Sequence, residues 1–130
     1  MPTLLPEDEW YTVDVLTCAA PNLRETPSNA FNPSDGDESI FISDTELQKL
    51  HEKRLRRIFD LVCERQVDVL ILGAFGCGAF QNPPTVVASA ARAVVNDYLH
   101  CFDAIEFAIY YRPEYEENYT EFTTKLSVIR

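Results

Sequence analysis

The sequence predicts an α/β fold with a mostly parallel sheet, and three observations carry that prediction. Short apolar runs at residues 13–20, 67–72 and 104–111 alternate with longer segments of helical periodicity. The central run leads into three of the chain's four glycines, Gly73, Gly76 and Gly78. A helix-start pattern, Asn82-Pro83, follows at once. Strand, glycine loop and helix start, in that order, can wrap backbone N–H groups around a phosphate.

Residues 1–11 read as an irregular lead-in. Residues 13–20 read as a buried strand that ends at Pro21. Residues 21–43 are polar and broken by prolines, asparagines and the Asp35-Gly36 turn pair, so they form a long surface loop. Loops of that length in compact domains often carry function. A helix begins at Ser43-Asp44-Thr45-Glu46, where Ser43 and Glu46 have capping-box spacing. Leu47, Leu50, Leu55, Ile58, Phe59 and Val62 give it one apolar face, while His51, Arg54, Arg56 and Arg57 fall among its polar positions. Residues 67–72 read as a strand buried on both faces, as in a parallel sheet. Asn82 caps the next helix, over residues 84–99, with Pro83 at its first position. Its Ala88, Ser89, Ala90, Ala91 and Ala93 permit close packing on the sheet. A strand over 104–111 stops before Pro113, and a last helix places Tyr115, Tyr119, Phe122 and Leu126 on one face. Ligands of parallel sheets bind beyond the carboxyl ends of the strands. Loops 21–43, 73–82 and 111–114 are expected at that edge.

At 130 residues the chain is expected to form one domain, residues 1–130. Its net charge of −10 argues against a nucleic-acid partner and against anionic membrane surfaces. No apolar stretch approaches the roughly 18 residues of a membrane span, and the acidic amino terminus is unlike a secretory leader. Cys18, Cys63, Cys77 and Cys101 have no close-pair metal spacing. They read as free thiols in a reducing, cytoplasmic setting, and neither a metal nor a cofactor is expected.

The glycine loop holds no lysine or arginine and lacks the Gly-Lys-Ser/Thr ending of a triphosphate loop. A diphosphate held by backbone alone fits it better, and tight-turn geometry is the other reading of its glycines. Phe75 and Phe80 flank the loop, where each either stacks on a ribose or base or closes the core. Cys77 lies between two glycines, where a helix end can lower a thiol pKa. Neither His51 nor His100 follows a motif that would make it the matching base, so no catalytic residue is assigned. Asn22, at the end of the first apolar run, either bonds a ligand or holds a turn. Tyr110 and Tyr111 end the last run at the ligand edge, where one of them can lie against a base. Glu116-Glu117 reads as a solvated helix start.

Three blocks carry a family resemblance: Val13-Asp-Val-Leu-Thr-Cys-Ala-Ala-Pro-Asn22, Leu70-Ile-Leu-Gly-Ala-Phe-Gly-Cys-Gly-Ala-Phe-Gln-Asn-Pro83 and Ile105-Glu-Phe-Ala-Ile-Tyr110. In order and spacing they resemble the carboxyl-terminal half of microbial-type poly(ADP-ribose) glycohydrolases, of the macrodomain superfamily. The resemblance implies a truncated, Rossmann-like three-layer α/β/α fold. It implies a diphosphate loop for ADP-ribose at Gly73, Ala74, Phe75, Gly76, Cys77, Gly78, Ala79 and Phe80, with Phe80 near the distal ribose. Asn82 matches the asparagine usual after that loop, and Asn22, Asn82, Tyr110 and Tyr111 are expected on the rim. Gln81 stands where the family usually has glycine. The family's catalytic triple-glycine loop followed by Gln-Glu-Glu is not in this sequence. The resemblance therefore implies a module that binds ADP-ribose, a related NAD-derived nucleotide or an ADP-ribosylated protein without the family's cleavage step. The alternatives are a hydrolase whose acids come from a dimer mate or from Asp35, Asp37 and Glu38, and a non-catalytic interaction subunit. A homodimer, a partner chain, or new strands from residues 1–12 and 21–43 are the expected ways to complete the sheet.

Overall fold

The computed structural model describes residues 2–31, 33–114 and 116–127. Three α-helices and a two-stranded parallel sheet make up its regular structure, with two short 3-10 turns at Glu7–Glu9 and Leu99–Cys101. The elements run α1 (Asp44–Glu64), β1 (Val69–Leu72), α2 (Pro84–Tyr98), β2 (Ala104–Phe107) and α3 (Glu117–Leu126). The α/β class with a parallel sheet, read from the sequence, is what the molecule has. Val69 pairs with Ala104 and Leu72 with Phe107, so β1 and β2 end together, and α2 is the crossover between them.

Helix α1 starts where its sequence says. Ser43 Oγ accepts from the Glu46 N–H at 3.3 Å, and the Glu46 carboxylate returns to Ser43. These bonds hold the Glu46 carboxyl below its ordinary range. Leu55, Ile58, Phe59 and Val62 then pack on Val87, Ala88, Ala91, Val94 and Val95 of α2. Phe59 is fully buried, with Tyr98 and Phe102 against its ring at 5.0 and 5.9 Å. Ala88, Ala90 and Ala91 are buried, and the close neighbours of α2 are the helices α1 and α3. Phe122 carries α3 into the same core and meets Phe107 of β2 at 5.6 Å. Tyr115 lies outside the described residues.

Three local expectations are corrected. Residues 13–20 are not a strand: they carry no ladder, and Val13 and Val15 are 70% and 82% exposed. A strand must place its N–H and C=O groups on a neighbour, and this segment is held only near its carboxyl end. There Arg54 Nη1 donates to the Ala19 carbonyl at 2.8 Å. The last strand is shorter than residues 104–111 and ends at Phe107. Finally, β1 is buried on one face only, since Val69 and Ile71 are 49% and 63% exposed. All three helices share one core with Leu70, Leu72, Ile105 and Phe107. The described residues thus supply the sheet and one helical layer, and the other face of the sheet is bare.

Candidate ligand loop

The loop at the carboxyl end of β1 is pinned from within by three backbone bonds. Cys77 N–H donates to the Ala74 carbonyl, Gln81 N–H to Gly78 and Asn82 N–H to Gly76, each at 3.0 Å. Gly76 is the glycine that the turn itself requires. Its φ is +77°, and a Cβ there would sit 2.6 Å from Ala20 Cβ and 2.7 Å from Asn82 Nδ2. Gly73 and Gly78 have no such reason: their φ values are negative, and a Cβ on either would meet nothing within 4 Å. Both are exposed, as is Ala79. The N–H groups of Gly76, Gly78, Ala79 and Phe80 donate to no group among the described residues. Pro83 and Pro84 contribute no N–H at the start of α2.

Asn82 corrects the sequence reading twice. Pro83, not Asn82, is the N-cap of α2. Nor is Asn82 on the rim, being 1% exposed. Its Nδ2 donates to the Pro21 carbonyl at 2.7 Å and the Gly76 carbonyl at 2.9 Å, while its Oδ1 faces His51 Nε2 at 2.8 Å. His51 is likewise not among the solvated positions of α1 but fully buried. Burial pushes its pKa down, the bond to Asn82 pushes it up, and the Arg54 charge lowers it further, with a net lowering.

The long loop folds back on this region. Leu23 N–H donates to the Phe80 carbonyl at 3.0 Å, and the Arg24 guanidinium lies over the Phe80 ring at 5.4 Å. One face of Phe80 is therefore already covered. A cavity of about 410 Å³ opens between the two loops, lined among others by Ala19, Asn22, Asp35, Arg54 and Phe80. Asn22 lines it in the turn-holding arrangement. Its Nδ2 donates to Asp35 at 2.7 Å and to the Pro27 carbonyl at 3.2 Å, and its Oδ1 accepts from Arg24 Nε at 3.1 Å. A smaller apolar cavity of about 170 Å³ lies beneath the loop, lined by Gly73, Ala74, Phe75, Phe107 and Phe122 with α1 and α2 residues.

Tyr110 and Tyr111 are exposed beyond β2, 71% and 49% respectively. Arg112 bonds the Tyr110 hydroxyl, and Tyr111 packs on Tyr119 at 5.1 Å; these partners, rather than loop residues, hold the two rings. Cys77 is half-buried, and burial, with the Glu117 charge, pushes its thiol up to about 12. That opposes the lowering a helix end would give, so Cys77 is a thiol rather than a nucleophile at neutral pH. Among the described residues no cluster of His, Cys, Asp and Glu could hold a metal ion.

Sequence reasoning missed Arg24, His51 and Arg54. The signal for two of them was in α1: His51 and Arg54 lie three residues apart, one turn along the edge of the Leu47–Leu55 apolar stripe.

Taken together, a parallel β-strand pair has a glycine loop at its carboxyl end and a helix beginning behind it, the edge at which parallel α/β sheets carry their ligands. Neither the models of known protein families nor the curated proteins give a match to this chain. Solved structures do. Poly(ADP-ribose) glycohydrolase from Deinococcus radiodurans in complex with ADP-ribose matches with a TM-score of 0.58 at 26% identity, over 64% of this chain and 34% of that one. The apo form of the same enzyme gives a TM-score of 0.59 at 25% identity, again over 64% and 34%. A single-substitution mutant in complex with ADP-ribose gives 0.57 at 26%, over 63% and 34%. The chain is therefore poly(ADP-ribose) glycohydrolase-like in fold, similar to a truncated macrodomain, and spans about a third of the length of the enzyme it matches.

Proposed function

We propose that this chain is a module that binds ADP-ribose or a related NAD-derived nucleotide, free or on an ADP-ribosylated protein. Residues 73–80 take the diphosphate. The observation that carries this is the open space at Gly73 and Gly78, two glycines that the turn does not itself require. Unsatisfied N–H groups beside them give an anion its donors. The likeness to a glycohydrolase solved with ADP-ribose supports the same ligand. The cavity between the loops is where the ribose end would lie, past the uncovered face of Phe80. The 130 residues contain neither Gly-Gly-Gly nor Gln-Glu-Glu, so the role proposed for these residues is binding. The free thiols support a reducing compartment, the cytoplasm. A second copy or a partner chain completes the sheet at its open strand edges and covers its bare face, and the described residues act as one module.

Titration with ADP-ribose tests the reading. Gly78→Glu is expected to abolish binding by filling the open space with a negative side chain. Glu116→Gln and Glu117→Gln, at the start of α3, are expected to leave binding intact. A Gly78→Glu protein that binds as tightly as the wild type would overturn the assignment.

A second reading has one observation in its favour. Asp35 lines the cavity beside Phe80 and Arg54, where a carboxyl group could serve glycosidic cleavage. Release of ADP-ribose from a modified protein, lost in Asp35→Asn, would establish that hydrolase; no release from the wild type would dismiss it.

A further inference from the structure

The glycine loop takes its shape from one buried amide. Asn82 donates to two carbonyls, Pro21 at 2.7 Å and Gly76 at 2.9 Å, and lies 3.4 Å from a third, that of Phe80. Those acceptors fix which end of the amide is nitrogen, so Oδ1 faces His51. His51 Nε2 must therefore carry the hydrogen in the 2.8 Å bond, and Nδ1 is the bare nitrogen. Nδ1 is buried and has no partner among the described residues, which leaves Asn82 as the polar contact of the ring. The ring also meets Phe75, a loop residue, edge-on at 5.7 Å. His51 stands on the second turn of α1, anchored by buried Leu47 and Leu55 on either side. A rigid helix is thus tied through one hydrogen bond to the amide that gathers both loops.

We propose that His51 is a positioning residue for the glycine loop: by donating to Asn82 it locks the amide that holds Gly76 and Pro21, and so fixes the arrangement of the open N–H groups. The ligand consequence rests on the ADP-ribose reading of that loop. His51 itself touches no ligand. Without its donor, Asn82 Oδ1 becomes a buried acceptor with no partner. The amide then has reason to turn, releasing the Gly76 and Pro21 carbonyls.

The test uses the full chain and three variants. His51→Met keeps the volume and removes the donor. His51→Gln keeps a donor of similar reach. Leu47→Ala, one turn earlier on the same helix, removes core packing without touching the amide. ADP-ribose affinity and amide hydrogen exchange over residues 76–82 are read for each. His51→Met is expected to weaken ADP-ribose by about tenfold, the scale of one lost hydrogen bond, and to speed exchange over 76–82. His51→Gln is expected to recover most of both, and Leu47→Ala to lower Tm while leaving both near wild type. Should His51→Met not fold, His51→Asn, whose donor is too short to reach Asn82, takes its place with the same expectations. A donor-less variant that binds and exchanges like Leu47→Ala would overturn the proposal. If the wild type binds no ADP-ribose, the proposed function fails separately and exchange decides for His51. Faster exchange confined to 76–82 supports the lock, and unchanged exchange refutes it.

Discussion

Two of the loop's glycines differ in kind from the third, and substitution should separate them. Gly76→Ala forces a side chain into left-handed backbone and against Ala20 and Asn82. It should destabilise the protein by about 1–3 kcal/mol. Gly73→Ala and Gly78→Ala meet nothing and should stay within about 0.5 kcal/mol of the wild type in chemical denaturation. His51 adds a pH dependence whose sign is set by its burial. Its folded pKa lies below the ordinary 6.5, so the unfolded chain binds its proton more readily. The stability it contributes is complete above 6.5 and is lost as pH falls through the lowered folded value. Cys77, pushed up to about 12, stays neutral in that window. Denaturation midpoints of the wild type should therefore fall more steeply below pH 6.5 than those of His51→Gln; parallel curves would contradict this.

At the scale of elements, Ser43→Ala should cost about 0.5–2 kcal/mol through loss of the α1 cap. Phe59→Ala should cost about 3–5 kcal/mol, because the ring is fully buried between α1, α2 and the Phe102 segment. Thermal or urea unfolding checks both. These helices were legible because caps and apolar periodicity act locally: Ser43, Glu46 and the leucine stripe of α1 need no knowledge of the fold. The strand over residues 13–20 was misread because apolar, β-branched sequence states a preference, whereas a strand exists only with a paired neighbour. Asn82 was misread for a related reason. Its position before two prolines fits a cap, but its partners at residues 21 and 51 are distant in sequence. His51 reads as solvated beside the arginines, although its spacing of four from both Leu47 and Leu55 sets it on the edge of the apolar stripe. The candidate loop was legible almost whole, since strand, glycines and helix start are contiguous. Arg24 reaches it through the folding of the long loop, and Arg54 from α1 through its bond to Ala19.

The whole molecule has the helices on one side of a two-stranded sheet and leaves Val69 and Ile71 open on the other. Open strand edges and an apolar face invite association, whereas a net charge of −10 on each copy opposes self-association and is screened by salt. If a second copy covers the face, sedimentation should show a dimer that strengthens with salt and is lost in Ile71→Lys. A monomer at every ionic strength would leave the face to a different chain. No helix among the described residues is long and apolar enough to cross a membrane. The central claim concerns the glycine loop, and calorimetric titration of the folded chain with ADP-ribose tests it most directly. The account predicts saturable one-to-one binding by the wild type that disappears in Gly78→Glu while the fold persists. A folded wild-type chain that releases no heat and gains no thermal stability from ADP-ribose would contradict it.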